Sequence, residues 1–198
     1  MGDSFLKAAR SRTMDSAGTF TLFYHGAAKK FLGRAHGPLT ILNQAGARFE
    51  VKGKEDAPTD TTGFVVPMLT TPSGVTIGQQ GAILYTLGKA FDLYPRTADG
   101  EAIALNIVEN MMDLTGDLGK GPDRVTKWLG TWEAALKASD SGYLVGDALT
   151  YADCASYLIV KVAADKVPPP PLVKSWLQMM AETDGVKAVA AMKLPLMP

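Results

Sequence analysis

The chain has 198 residues, 46% of them hydrophobic and 20% charged, which fits one ordinary globular domain or two small ones. Twenty basic and twenty acidic side chains cancel to a formal net charge of zero with no basic run, which argues against nucleic acid or an acidic membrane as partner. No apolar stretch approaches the roughly 20 residues of a membrane helix, and the single cysteine, Cys154, rules out both an internal disulfide and a C-x-x-C redox motif, so a reducing cytoplasm is expected.

Residues 1–18 carry Ser, Lys and Arg without sustained apolar periodicity and read as a flexible extension. Phe5, Leu6 and Ala8 are too few for a secretory core, and Leu6 stands where myristoylation wants Ser or Thr. Residues 19–24, TFTLFY, are β-branched and aromatic and predict a buried strand ended by His25-Gly26. A helix is expected from near Arg34 to Gly46 with Leu39, Ile41 and Leu42 inward, and with Pro38 tolerable only in its first turn. His25 and His36 read as solvated loop and helix residues. Residues 48–51 form a second short strand, and the polar residues 52–63 a loop or short helix.

The segment 64–88, FVVPMLTTPSGVTIGQQGAILYTLG, organises this half of the chain. Pro67 inside an apolar run belongs at a strand end, an edge or a bulge, often with a cis bond, and here it heads a strand. Residues 70–74 supply turn chemistry through Pro72 and Gly74, so residues 75–77 return as a hairpin partner. From Gln79 the spacing of Ala82, Ile83, Leu87 and Ala90 is helical. The order is β-α-β-β-α.

Pro95 interrupts the helical pattern over residues 91–98, the expected linker. Ile103, Ile107, Val108, Met111, Met112 and Leu114 then mark a helix over 99–118, and Val125, Trp128, Leu129, Trp132 and Leu136 a second one after Pro122. Thr150-Tyr151-Ala152-Asp153 has the form of a capping box ahead of an apolar run, and Cys154 in that first turn reads as a packed small hydrophobe. Two more helices are expected over 172–182 and 184–192. No pair of histidines or carboxylates has metal-ligand spacing, so no metal is expected.

Three strings in this order carry a resemblance: TLFYHGAAKKFLGRA, VPML followed by a hairpin and QQGAILYTL, and GDALTYAD. Together they resemble the glutathione S-transferase superfamily, tyrosine type, closest to the sigma class. The resemblance implies an α/β thioredoxin-like domain over 19–91, a linker over 92–98 and an all-helical domain over 99–198. It also implies glutathione as co-substrate, a small apolar electrophile as second substrate, and a homodimer.

Carried over residue by residue, Tyr24 falls on the catalytic tyrosine and Arg34 on the arginine of the G-R-A motif. Val66 and Pro67 fall on the segment that pairs with the cysteinyl part of glutathione, and Gln79 and Gln80 on the pair that holds its γ-glutamyl carboxylate. Asp113 falls on the aspartate that reaches across the dimer. Met111 and Met112 are candidates to line the electrophile pocket. The sequence departs from the sigma pattern in its longer segment between Tyr24 and Gly33, in His36 where glutamate is usual, in Val65 where a polar residue is usual, and in Gln80 where serine is usual. A thiol is only a few per cent thiolate at neutral pH, and a phenol hydrogen bond or a nearby guanidinium favours the charged form. Two readings stay beside transfer: a non-catalytic binding or structural protein on the same fold, and a glutathione-dependent isomerase.

Overall fold

The computed structural model describes residues 18–197, so the expected extension, apart from Gly18, lies outside the described residues. Four strands form one mixed sheet: β1 (Phe20–Tyr24), β2 (Phe49–Gly53), β3 (Met68–Thr70) and β4 (Thr76–Gly78), in the order β2-β1-β3-β4. β1 and β2 run parallel with Tyr24 opposite Gly53, whereas β1–β3 and β3–β4 are antiparallel. The parallel pair needs a crossover, which helix α1 (His36–Gln44) provides. Side chains alternate along a strand, so Phe20, Leu22 and Tyr24 share one buried face of β1, and that face meets Leu69 of β3.

Several ends differ from expectation for local reasons. β2 runs two residues further because its pairing follows β1 to the end. β3 begins only after Pro67, which has no N–H for the ladder, and Val65 and Val66 stay outside it. The Val66–Pro67 bond is cis. Val75 is not in β4 and is exposed. A short 3₁₀ turn, Gly33–Ala35, precedes α1, which puts Pro38 in the first turn as the sequence required.

Helix α2 (Gln80–Ala90) follows β4 directly and buries Ile83, Leu84 and Leu87, while Ala82 points outward. The helical half comprises α3 (Ala98–Asp117), α4 (Pro122–Ser139), α5 (Tyr151–Ala164), α6 (Pro171–Ala181) and α7 (Asp184–Ala191). α5 is the central helix, with Tyr151, Ala152, Cys154, Ala155, Ser156, Ile159, Val160 and Ala163 all buried, as expected of a helix apolar on most sides. Both bonds of the capping box at its start are present. Burial pushes the Cys154 thiol up, so it is an inert packing group.

α1 packs against α2, α5 and α7, which joins the sheet half to the helical half. The approach of α7 is close: a Cβ on Gly185 would overlap the Thr40 carbonyl, and the Gly185 N–H donates to Gln44 Oε1 at 2.9 Å. Beyond α7 the chain turns back to the sheet half, where Pro195 and Leu196 carbonyls accept from the N–H groups of Leu32 and Gly33 at 2.9 and 2.7 Å. The end of β1, the start of α1, one face of α3 and this returning tail thereby enclose a cleft.

Candidate active site

Tyr24 is the last residue of β1, and its buried ring reaches toward the 3₁₀ turn that opens the α1 segment. There its hydroxyl oxygen accepts from the backbone N–H of Arg34 at 2.9 Å. The hydroxyl lies over Gly33, whose φ of +43° and lack of a side chain both matter, since a Cβ there would overlap the Tyr24 oxygen. Burial raises the phenol above its ordinary value, against the Arg34 N–H and the Arg34 charge, which lower it. At neutral pH Tyr24 is therefore a neutral phenol that accepts one hydrogen bond and retains its own O–H to donate.

The cleft beside Tyr24 has a volume of about 450 Å³. From the sheet half it is bordered by Tyr24, His25, Phe31, Arg34, Val66 and Gln80. Met112, Thr115 and Gly116 border it from α3, Ile159 from α5, and Leu196 and Met197 from the returning tail. A second hollow of about 510 Å³ shares His25 and Val66 with the first and is bordered by Lys54 and Phe64. Apolar walls around a few convergent polar groups are the usual form of a small-molecule site.

Of the residues singled out in the sequence, Tyr24, Arg34, Val66, Gln80 and Met112 come together here. Pro67 is buried behind Val66. Gln79 is exposed at the N-cap of α2 with φ +66° and ψ 126°, a conformation a non-glycine residue holds only when its surroundings impose it. Met111 is fully buried in the core and does not face the cleft, because one residue further along a helix turns about 100° from its neighbour. Asp113 is exposed in an adjoining hollow with Asp117, Lys120, Arg124 and Trp128, sharing Met112 and Gly116 with the main cleft. In that hollow Lys120, Trp128 and Arg124 hold the Asp117 carboxyl well below the usual range.

His36 corrects the solvated reading: it is 1% exposed, on the floor of the cleft. Its Nε2 faces the Gln80 side-chain nitrogen at 3.5 Å, and its Nδ1 has no hydrogen-bond partner among the described residues. Burial pushes the imidazole down to about 4, so it is neutral at physiological pH. Gln80 is itself only 3% exposed and turns toward His36 rather than over the first turn of α2. The backbone N–H groups of that turn therefore remain unshielded by a side-chain cap, and such groups favour a carboxylate. Two of the four departures from the sigma pattern thus touch each other.

Phe31, Thr115, Gly116, Ile159, Leu196 and Met197 were missed as lining residues. Met112, Thr115 and Gly116 stand at i, i+3 and i+4 of one helix, a signal present in the sequence once Met112 is placed. Nothing local marks Leu196 or Met197, whose position depends on contacts far along the chain. Among the described residues no cluster of three His, Cys, Asp or Glu side chains has the geometry of a metal site. Nor is any helix there long and apolar enough to cross a membrane.

Residues 122–192 match the family model described as the glutathione S-transferase C-terminal domain. Among solved structures, the chain is similar to the glutathione S-transferase of Ascaris lumbricoides, with 22% identity over 87% of this chain and 96% of that one and a TM-score of 0.72. It is also similar to a monomeric glutathione S-transferase of the hookworm Necator americanus, at 22% identity, 88% and 97% coverage and a TM-score of 0.71. The prostaglandin synthase D of Nilaparvata lugens matches at 18% identity, 87% and 97% coverage and a TM-score of 0.69. No curated protein matches. The chain therefore has the glutathione transferase fold, a thioredoxin-like half followed by a helical half.

Proposed function

We propose that this chain is a tyrosine-type glutathione transferase, in which Tyr24 donates its O–H to the glutathione sulfur and stabilises the thiolate for attack on an apolar electrophile. The observation that carries the reading is the Tyr24 hydroxyl on the border of the cleft, fixed by the Arg34 N–H at 2.9 Å, with Arg34 bordering the same cleft. A donor pre-aimed at a developing negative charge costs little reorganisation when the charge forms. Lowering a thiol pKa by two units corresponds to about 2.7 kcal/mol, within reach of one charge-assisted hydrogen bond and a nearby cation.

In this reading glutathione spans the two hollows that meet at His25 and Val66. Its γ-glutamyl carboxylate docks on the N–H groups at the start of α2 near Gln79 and Gln80, and its cysteinyl backbone pairs with Val66 beside Pro67. Lys54 is the cation that borders the second hollow and suits the glycyl carboxylate. The electrophile sits against Met112, Ile159 and Leu196. Asp113 is assigned to the amino group of glutathione held by a second copy of the chain. A cytoplasmic setting fits a chain whose single cysteine is buried.

The test is conjugation of glutathione to an activated aryl chloride. The wild-type protein forms the thioether, and Tyr24→Phe, which removes the O–H donor together with the acceptor of the Arg34 N–H, lowers kcat/KM about 100-fold while the melting temperature stays within a few degrees. Equal activity in the two proteins would remove Tyr24 from the mechanism. Gln80 turned toward His36 favours the non-catalytic reading, in which glutathione binds without turnover. That reading gains if the wild type binds glutathione and conjugates nothing.

A further inference from the structure

The segment between Tyr24 and Gly33 places an imidazole where the reaction above leaves a task unfilled. His25 follows Tyr24 directly, and the three residues after it, Gly26, Ala27 and Ala28, have φ of 53°, 53° and 54°. Left-handed backbone is unfavourable for an L-residue, and two consecutive alanines holding it mean that the surroundings impose the reversal. The reversal brings Phe31 back onto His25, the rings stacked with centroids 6.0 Å apart and an interplanar angle of 26°. Tyr24 meets His25 edge-on at 5.2 Å. The imidazole is thus gripped on two sides yet exposed, and it borders both hollows.

The other polar side chains around the cleft do not trade protons in neutral solution. Tyr24 is held above its ordinary value by burial, and His36 is buried and pushed down to about 4. Arg34 offers N–H donors and no acceptor, and Lys54 borders only the second hollow. Histidine is the side-chain type suited to proton exchange at such a site.

We propose that His25 is a second catalytic residue of this cleft, the acid that completes addition of the thiolate to an activated carbon–carbon double bond of an α,β-unsaturated carbonyl compound. This rests on the thiolate reading above. The thiolate sulfur forms a bond to the β-carbon, and the π pair of the double bond moves toward the carbonyl to give an enolate. The His25 imidazolium N–H delivers its proton to that enolate, and the proton released to solvent when the thiol ionised restores the imidazolium. The sum is glutathione thiol plus alkene to thioether, with no oxidant or reductant. Displacement of chloride from an aryl ring expels an anion and needs no proton, so His25 separates the two reactions.

The experiment compares His25→Gln with the wild type on two probes, an α,β-unsaturated aldehyde and an activated aryl chloride, each with glutathione. The expected result is that the ratio of kcat/KM for the aldehyde to that for the aryl chloride falls at least tenfold. In the wild type, the solvent deuterium isotope effect is larger for the aldehyde. An unchanged ratio, or equal isotope effects for the two probes, would overturn the role of His25 while leaving Tyr24 catalysis intact. A wild-type protein inactive on both probes would overturn the thiolate reading and this one with it. Because His25 is exposed, the variant is expected to fold, and the isotope comparison needs no variant.

Discussion

The most informative single residue apart from Tyr24 is His36, a neutral imidazole sealed under the cleft. Its value falls from about 6.5 in the unfolded chain to about 4 in the folded one, so between those values the unfolded state binds the extra proton. The stability it supports is fully present above pH 6.5 and is lost as pH falls toward 4, by about 3 kcal/mol. Urea unfolding of the wild type at pH 7 and pH 4.5 should show this loss, and His36→Asn should show a shallower dependence whatever its stability at pH 7. The same slope in both proteins would mean that His36 is not the group responsible. The burial of His36 was not legible in the sequence, because it follows from how α2 and α5 close over α1: a Cβ on neighbouring Gly37 would crowd Leu84 and Ala155. Tyr24 and Arg34 were legible, since a strand end and the helix start after it are local. Met111 and Met112 mark the boundary, where helical spacing was clear and the rotation that buries one and exposes part of the other was set by packing.

Among the elements, α5 was the easiest to read and is the one on which the helical half depends. Its capping box does more than end a helix. Fully buried Asp153 accepts from the N–H groups of Leu144 and Thr150, from the Thr150 hydroxyl and from the Trp176 indole N–H, at 2.8–3.0 Å. Burial raises the Asp153 carboxyl, and these four donors pull it back. One side chain thus ties the loop before α5 to α6. Asp153→Ala strands those donors in the interior, and the expected loss is about 3–5 kcal/mol, read as a lower urea midpoint. A loss below about 1 kcal/mol would mean that water or a rearranged loop satisfies them. The sequence carried the i, i+3 pair of this network, whereas the Trp176 bond spans a separation that no local pattern shows. The same holds for the tail: the helix before it was expected, but its return to Leu32 and Gly33 was not.

At the scale of the whole molecule, the order of three motifs identified the fold, and the contacts between the two halves created the cleft. Phe64 is 95% exposed, beside exposed Val65, on the loop before β3. A groove of about 380 Å³ between α3 and α4 is bordered by Ile103, Ile107, Trp132 and Ala135 together with Asn106, Asn110 and Thr131. One chain that carries both an apolar knob and a hollow with apolar and amide walls suits a two-fold pair. Sedimentation should find a dimer for the wild type and a monomer for Phe64→Ser, with helix content unchanged; a wild-type monomer at tens of micromolar would place this chain with its monomeric hookworm neighbour. The central claim is nonetheless the conversion of thiol to thiolate beside Tyr24. It is tested most directly by calorimetric titration with glutathione at pH 7 in two buffers of different ionisation enthalpy. Saturable binding is expected, with release of a substantial fraction of a proton that is much reduced in Tyr24→Phe. Binding without proton release, or no binding at millimolar glutathione, would contradict it.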